Sequence, residues 1–312
     1  MEDIRAAQSL IADLAIRTPL VRLNVDDAPA EIYLKLENLQ PINSFKIRGA
    51  GNAMRQADPG QLAKGVWTAS AGNMAQGVAW CARQLGHKCR VVVPDHAPQA
   101  KLDAMARLGA KYVKVPFAEW FEVLQTRHFD GMDGFFIHPV SNPHVLAGNG
   151  TIGLEIYEDL PDVDVVVIPF GGGGLSCGIA SALRALNPDI KIYACEVETA
   201  APVAASFRAG RAMKIDYQPS FVDGIGSPMV LEEMWPLVQQ LLDGSLTVSV
   251  DETAKALRLI AERNRVIAEG AGAVSAAVAL SGQAGTGKVV CVVSGGNIDT
   301  EKLTAILQGD VP

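Results

Sequence analysis

The sequence predicts an α/β protein built on doubly wound parallel sheets. Three observations carry this. Short apolar runs, several of them nearly all valine, alternate along the chain with longer segments of helical period, the pattern of parallel sheets covered by helices. Turns rich in glycine or serine sit where such runs give way to helices. A chain of 312 residues, 49% of them hydrophobic, is long and apolar enough to bury a large core.

Taken in order, the first strand is the run 66–69 (Val-Trp-Thr-Ala), closed by Ser70-Ala71-Gly72 and followed by a helix over 73–85. A β-branched run at 90–93 gives the next strand, and the apolar period of 97–108 the next helix. Valines at 165–168 form a buried strand, the glycines at 171–174 a turn, and 175–186 a helix. A strand at 191–194, a helix at 251–265, a small-residue helix opening at Glu269 and a strand at 289–293 complete the alternation. No linker, internal repeat or low-complexity tract divides the chain, so two domains would have to be interleaved.

The formal net charge of −7 and the lack of a basic stripe exclude a surface that tracks nucleic-acid phosphates. No apolar stretch approaches the about 18 to 20 residues that span a bilayer, so no membrane partner is expected. The five cysteines form no Cys-x-x-Cys pair and several lie in apolar runs, which predicts buried, reduced thiols and a cytoplasmic protein. The five histidines have no metal-ligand spacing.

Chemistry is carried by four segments. In Ser44-Phe45-Lys46-Ile47-Arg48-Gly49 a lysine is fixed between an aromatic ring and a glycine, a setting in which an amine can hold a carbonyl cofactor. Ser70-Ala71-Gly72-Asn73-Met74 opens a helix after a strand and so faces an anion with backbone N–H groups. Gly171, Gly172, Gly173 and Gly174, followed by Leu175, make a second and stronger anion cradle, because any Cβ would hold the backbone away from phosphate oxygens. Ser294-Gly295-Gly296-Asn297 ends the last strand. A fifth glycine segment, Gly282 to Lys288, starts like a nucleotide P-loop, but Val289 stands where a metal-binding Ser or Thr is needed and the segment precedes a strand.

Together and in this order these segments resemble the serine/threonine dehydratase family of pyridoxal-phosphate enzymes, with the tryptophan synthase β-like fold, from about Thr18 to Asn297. The resemblance implies two interleaved domains, a large cofactor-binding one from residues 1–46 and 144–312 and a small mobile one from 47–143. It implies no C-terminal regulatory domain, a homodimer, and pyridoxal 5'-phosphate between the domains. It implies that Lys46 is the catalytic residue, joined to the cofactor as a Schiff base and later taking the α-proton. Phe45 would pack on the ring, Asn73 bond its phenolic oxygen, the glycines at 171–174 and Leu175 hold the phosphate, and Ser294 meet the pyridine nitrogen. Ser70, Ala71, Gly72, Asn73, Met74 and Ser227 would line the substrate, with Glu269 near the ring. The implied reaction is β-elimination from an L-β-hydroxy-α-amino acid, giving a 2-oxo acid and ammonia. β-Replacement, racemisation and a non-catalytic, amino-acid-sensing role are the alternatives.

Three departures from the family pattern bear on this. Met74 stands where histidine is usual and Asn43 where glycine, serine or threonine is common, which predicts a β-substituent bulkier than that of threonine or serine, such as the aryl group of phenylserine. Ala71 stands where serine racemases place a serine as second base, which disfavours racemisation. Many relatives bind a divalent cation through a glutamate, a backbone carbonyl four residues later and an acid two beyond. Here those places hold Glu196, Ala200 and Pro202, so no metal requirement is expected.

Overall fold

The computed structural model describes residues 1–312. Its first third contains α1 (Glu2–Leu10), β1 (Leu20–Arg22), β2 (Glu31–Leu36), α2 (Lys46–Arg55), α3 (Pro59–Ala63), β3 (Val66–Ala69), α4 (Asn73–Gln84) and β4 (Cys89–Pro94). Then follow α5 (Gln99–Arg107), β5 (Lys111–Val115), α6 (Phe117–Thr126), β6 (Phe135–Phe136), α7 (Pro143–Asp159), β7 (Val165–Pro169), α8 (Gly174–Leu186) and β8 (Lys191–Val197). The rest is α9 (Pro202–Ala209), α10 (Trp235–Leu241), β9 (Gly244–Val248), α11 (Val250–Asn264), α12 (Gly270–Leu280), β10 (Lys288–Val293) and α13 (Thr300–Gln308). The predicted α/β alternation is present, with predicted element ends within two residues of those observed, save at the C-terminal end of β8, which runs three residues longer.

The chain divides into two compact units. One holds Met1, Arg17–Leu39 and Ile152–Pro312. Its six-stranded sheet has the order β1-β2-β10-β7-β8-β9, all parallel except β1 against β2. Both faces of β7 and β10 are covered, which is why these strands read as unbroken apolar runs. Helix α12 is apolar all round and buried from Gly270 to Ala279, as such a helix must be. It lies against β10, where Ser275 Oγ donates to the Val292 carbonyl at 3.0 Å. Helix α11 starts at a capping box, Ser249 Oγ taking the Glu252 N–H at 3.1 Å.

A charged side chain is sealed in this unit. Lys35 in β2 is fully buried; its ammonium donates to Glu155 Oε2 and to the Thr18 carbonyl, both at 2.6 Å. Thr18 Oγ1 in turn donates to Glu37 Oε1 at 2.5 Å. Burial without such partners would cost several kcal/mol, about the effective penalty per buried ion.

The other unit holds Glu2–Ile16 and Gln40–Thr151 around a parallel sheet of order β5-β4-β3-β6. Its core gathers Ile47, Ala50 and Met54 of α2 with Met74, Val78 and Cys81 of α4 and Leu102 and Met105 of α5. Glycines let helices close up here: a Cβ on Gly148 would lie 2.3 Å from the Arg48 carbonyl oxygen. Arg48 is itself buried, donating to Thr151 Oγ1 at 3.0 Å and the Ile16 carbonyl at 3.2 Å.

Candidate active site

In the second unit, Lys46 is the first residue of α2 and Phe45 its N-cap. The Lys46 ammonium sits 4.8 Å from the centre of the Phe45 ring, a cation–π distance. The turn that delivers it runs through Asn43, whose φ of 57° is left-handed, a conformation that asparagine tolerates better than most residues. Asn43 is exposed, and its left-handed backbone suits asparagine. Between them Ser44 is fully buried, and its hydroxyl has no hydrogen-bond partner.

Helix α4 begins at Asn73, just beyond the carboxyl end of β3, with Gly72 as its N-cap. Open space lies beside Gly72, with no atom within 4 Å of where a Cβ would be. Ser70 Oγ accepts the Gly72 N–H at 3.2 Å, shaping the turn. Met74 is 2% exposed. Its side chain fills the apolar core together with Ile42, Ile47 and Val78. What Met74 can offer a ligand is its N–H on the first turn of the helix. Ala71 packs at the edge of the same core.

One helical turn further on, Gly77 faces Lys46. A Cβ at 77 would lie 3.0 Å from Lys46 Cβ and 3.1 Å from its carbonyl carbon. The lysine stem is therefore positioned by bare backbone, a role that the sequence signals only as a glycine inside a helix, where glycine is otherwise unfavourable.

In the first unit, Gly171, Gly172 and Gly173 follow β7, and Gly174 and Leu175 open the thirteen-residue α8. Gly173 has φ 98° and a Cβ there would meet the Phe170 ring at 3.1 Å, so two independent constraints demand glycine. Leu175 is buried by its side chain and stands on the first turn, where backbone N–H groups lack intrahelical acceptors. Ser294 follows β10 directly and is buried. β10 and β7 are neighbours, so the serine and the glycine run stand at adjacent carboxyl ends of one sheet, where α/β folds bind ligands.

A short turn, Asp223-Gly224-Ile225, joins these pieces. A Cβ on Gly171 would lie 3.4 Å from the Gly224 carbonyl oxygen, and one on Gly224 would lie 3.1 Å from Glu269 Oε1. Buried Glu269 takes the Asn297 N–H on Oε2 at 3.2 Å, and its own N–H donates to the Gly295 carbonyl at 2.9 Å. Glu269 thus ties the turn to the loop after Ser294. Ser227 spends its hydroxyl locally, donating to the Met229 carbonyl at 2.8 Å. Tyr217, which the sequence reading passed over, lies against Gly226, whose Cβ would come within 2.6 Å of the phenol oxygen.

Taken by itself, each unit offers features that fit pyridoxal phosphate: the first a glycine run whose Gly173 admits no side chain, the second Lys46, an amine on a stem packed against Gly77. Elsewhere, all five cysteines are free and buried, and burial pushes the Cys89 and Cys177 thiols up to about 12. The segment ending at Lys288 runs into β10 and packs Gly287 on Asp164, a turn with no helix after it.

The chain is similar to several known proteins. The L-threonine ammonia-lyase of Thermotoga maritima is 41% identical over 312 residues, covering 98% of this chain and 78% of that protein. The catabolic L-threonine dehydratase of Escherichia coli K12 is 37% identical over 313 residues, covering 98% and 95%. The solved structure of maize serine racemase superposes with a TM-score of 0.91 at 32% identity, covering 98% and 96%. No helix here is long and apolar enough to cross a membrane. The family model described as pyridoxal-phosphate dependent enzyme matches residues 11–295, and the chain, a tryptophan synthase β-like α/β protein, belongs to that family.

Proposed function

We propose that this enzyme eliminates the β-hydroxyl of L-threonine or L-serine, releasing a 2-oxo acid and ammonia. The observation that carries this reading is the near full-length similarity to proteins named for threonine ammonia-lyase and dehydratase activity. Bound pyridoxal phosphate supplies the electron sink that acidifies the substrate α-carbon. In the proposed assignment Lys46 would hold the cofactor through Nζ, and that nitrogen, when free, would take the α-proton. Its cation–π contact with Phe45 and the packing of Gly77 limit the directions in which the amine can swing. The N–H groups of 171–174 and Leu175 would hold the phosphate, Ser294 would offer the ring nitrogen a neutral hydroxyl, and Asn73 would meet the ring oxygen. The substrate carboxylate takes the turn Ser70-Ala71-Gly72 and the first turn of α4, where the open space beside Gly72 supports its placement.

Small substrates are favoured over phenylserine. The two residues that argued for a wide pocket have other duties, Met74 in the core and Asn43 in a left-handed turn. The likeness to serine racemase supports a second reading, racemisation of serine. It lacks a second base, since Ala71 has no proton to shuttle.

The test is separate incubation of the cofactor-loaded protein with L-threonine, L-serine and L-threo-phenylserine, following 2-oxo acid release and the chirality of residual serine. Threonine or serine turnover without D-serine is expected. Preference for phenylserine, or accumulation of D-serine, would overturn the assignment. Lys46→Ala should lower the rate by ~10²- to 10⁴-fold, the usual contribution of a positioned general base.

A further inference from the structure

We propose that the N-terminus of α9 occupies, in this chain, the place that a divalent cation takes in many relatives, so that the enzyme is built to work without one. The three places of that cation pattern fall at Glu196, Ala200 and Pro202. Glu196 is fully buried at the end of β8, and both its oxygens are taken. Oε1 accepts the Val203 N–H at 2.8 Å. Oε2 accepts the Ala204 N–H at 2.9 Å and the Ser245 hydroxyl of β9 at 2.6 Å. Val203 and Ala204 are the second and third residues of α9, and Pro202, the first, has no N–H to offer.

Pro202 therefore does two things at once. It removes the acid that would complete a cation site. Its fixed φ starts a helix whose first two donors point at Glu196, and a helix N-terminus carries about half a positive charge. The carboxylate thus receives a fixed dipole and three hydrogen bonds where a cation would have supplied charge, consistent with the rule that buried charge must be paired. Three further oxygens of this segment are engaged too. The Pro202 carbonyl accepts the Ser206 hydroxyl at 2.7 Å, the Ala201 carbonyl accepts the Ala205 N–H at 3.3 Å, and Ser206 Oγ takes the Met213 N–H at 2.9 Å. A magnesium ion needs near-octahedral oxygen ligands at about 2.0–2.1 Å. To enter, it would have to strip three donors from Glu196 and break the first turn of α9. The result is a permanent tie between β8, β9 and α9.

The experiment uses the cofactor-loaded enzyme, treated with EDTA, dialysed, and assayed with and without MgCl₂, CaCl₂ or MnCl₂. Thermal melting is read alongside activity, so the result stands whatever the substrate proves to be. Neither quantity should change, because a ligand that binds only the folded state raises the melting temperature and none is expected to bind. Several-fold activation, or a melting temperature raised by several degrees on adding any of the three cations, would overturn the proposal. Glu196→Gln puts an N–H donor against N–H donors and should lower the melting temperature, with no recovery on adding cation. Ser245→Ala should do so more mildly. A variant whose stability returned with magnesium would show a cation site in place of the helix and would equally refute the idea.

Discussion

Gly77 of α4 rests its bare Cα against the stem of Lys46, and a methyl group at 77 would come within 3.0 Å of Lys46 Cβ and 3.2 Å of its carbonyl oxygen. Exposed in a helix, Gly→Ala stabilises by about 1 kcal/mol. At this position the sign should invert. Gly77→Ala is expected to lower the melting temperature and to reduce turnover by ~10-fold or more, equivalent to about 1.4 kcal/mol of misplaced amine. A stabilised, fully active variant would show that α2 and α4 have slack that the structure does not indicate.

Gly173 is constrained twice, by φ 98° and by the Phe170 ring. Left-handed backbone costs an L-residue about 1–2 kcal/mol. Gly173→Ala should therefore weaken cofactor retention, measured as loss of pyridoxal phosphate absorbance on dilution and gel filtration. Gly210, also left-handed but with open space where its Cβ would be, is the control. Gly210→Ala should lose some stability and keep its cofactor.

Asp243 gives the protein an acid limb. Burial pushes its carboxyl up, but the Ile192 N–H at 2.8 Å and the Arg184 guanidinium at 2.5 Å outweigh this and hold it below its ordinary value. A carboxyl depressed on folding contributes stability above its unfolded pKa, near 3.8, and loses it as pH falls through the lower folded value. Melting temperature should drop below about pH 4. Asp243→Asn should be less stable at neutral pH and show a shallower decline in acid. Parallel curves for the two proteins would remove Asp243 from the account.

The thiols should be silent in the native state. All five are buried, and burial raises the pKa of each, which suppresses the reactive thiolate. Ellman's reagent at pH 8 should label none promptly and all five after denaturation. Rapid native labelling of any one would show an opening motion that reaches the core.

The glycine turn after β7 was legible because few residues can adopt its backbone. A turn with φ near 98° beside an aromatic ring excludes every side chain, so the requirement is written into the composition. Lys35 was not legible. A lysine in the segment leading to Asn38 and Gln40 reads as a solvated charge, and its burial depends on Glu155, 120 residues away. Met74 reads from sequence as a departure that bears on the substrate, and its packing with Ile47 and Val78 shows only in three dimensions. The strands β1, β5, β6 and β9 were missed because they are short, polar or at sheet edges, where no apolar run forms, and β2 because Glu31 and Lys35 interrupt its apolar residues. Pro202 signalled from sequence that the cation pattern at Glu196 is broken, but what satisfies the glutamate was not legible, since no local pattern announces that the Val203 N–H, seven residues later, will bond it.

The buried helix α12 sets a limit on how this protein can change. Its residues, Gly, Ala, Val, Ser and a terminal Leu, surrender little or no rotamer freedom on folding, so ordering this segment carries a small entropic penalty for its length. The same economy leaves nothing to rearrange. A longer neighbour can shift a torsion to admit an extra methyl, but a backbone such as that of Gly272, 2.4 Å from the Gly295 oxygen at its would-be Cβ, has no torsion to spare. Sequence drift in this enzyme should thus be concentrated in the outer helices, with the segment from Gly270 to Ala279 the slowest to accept a larger residue.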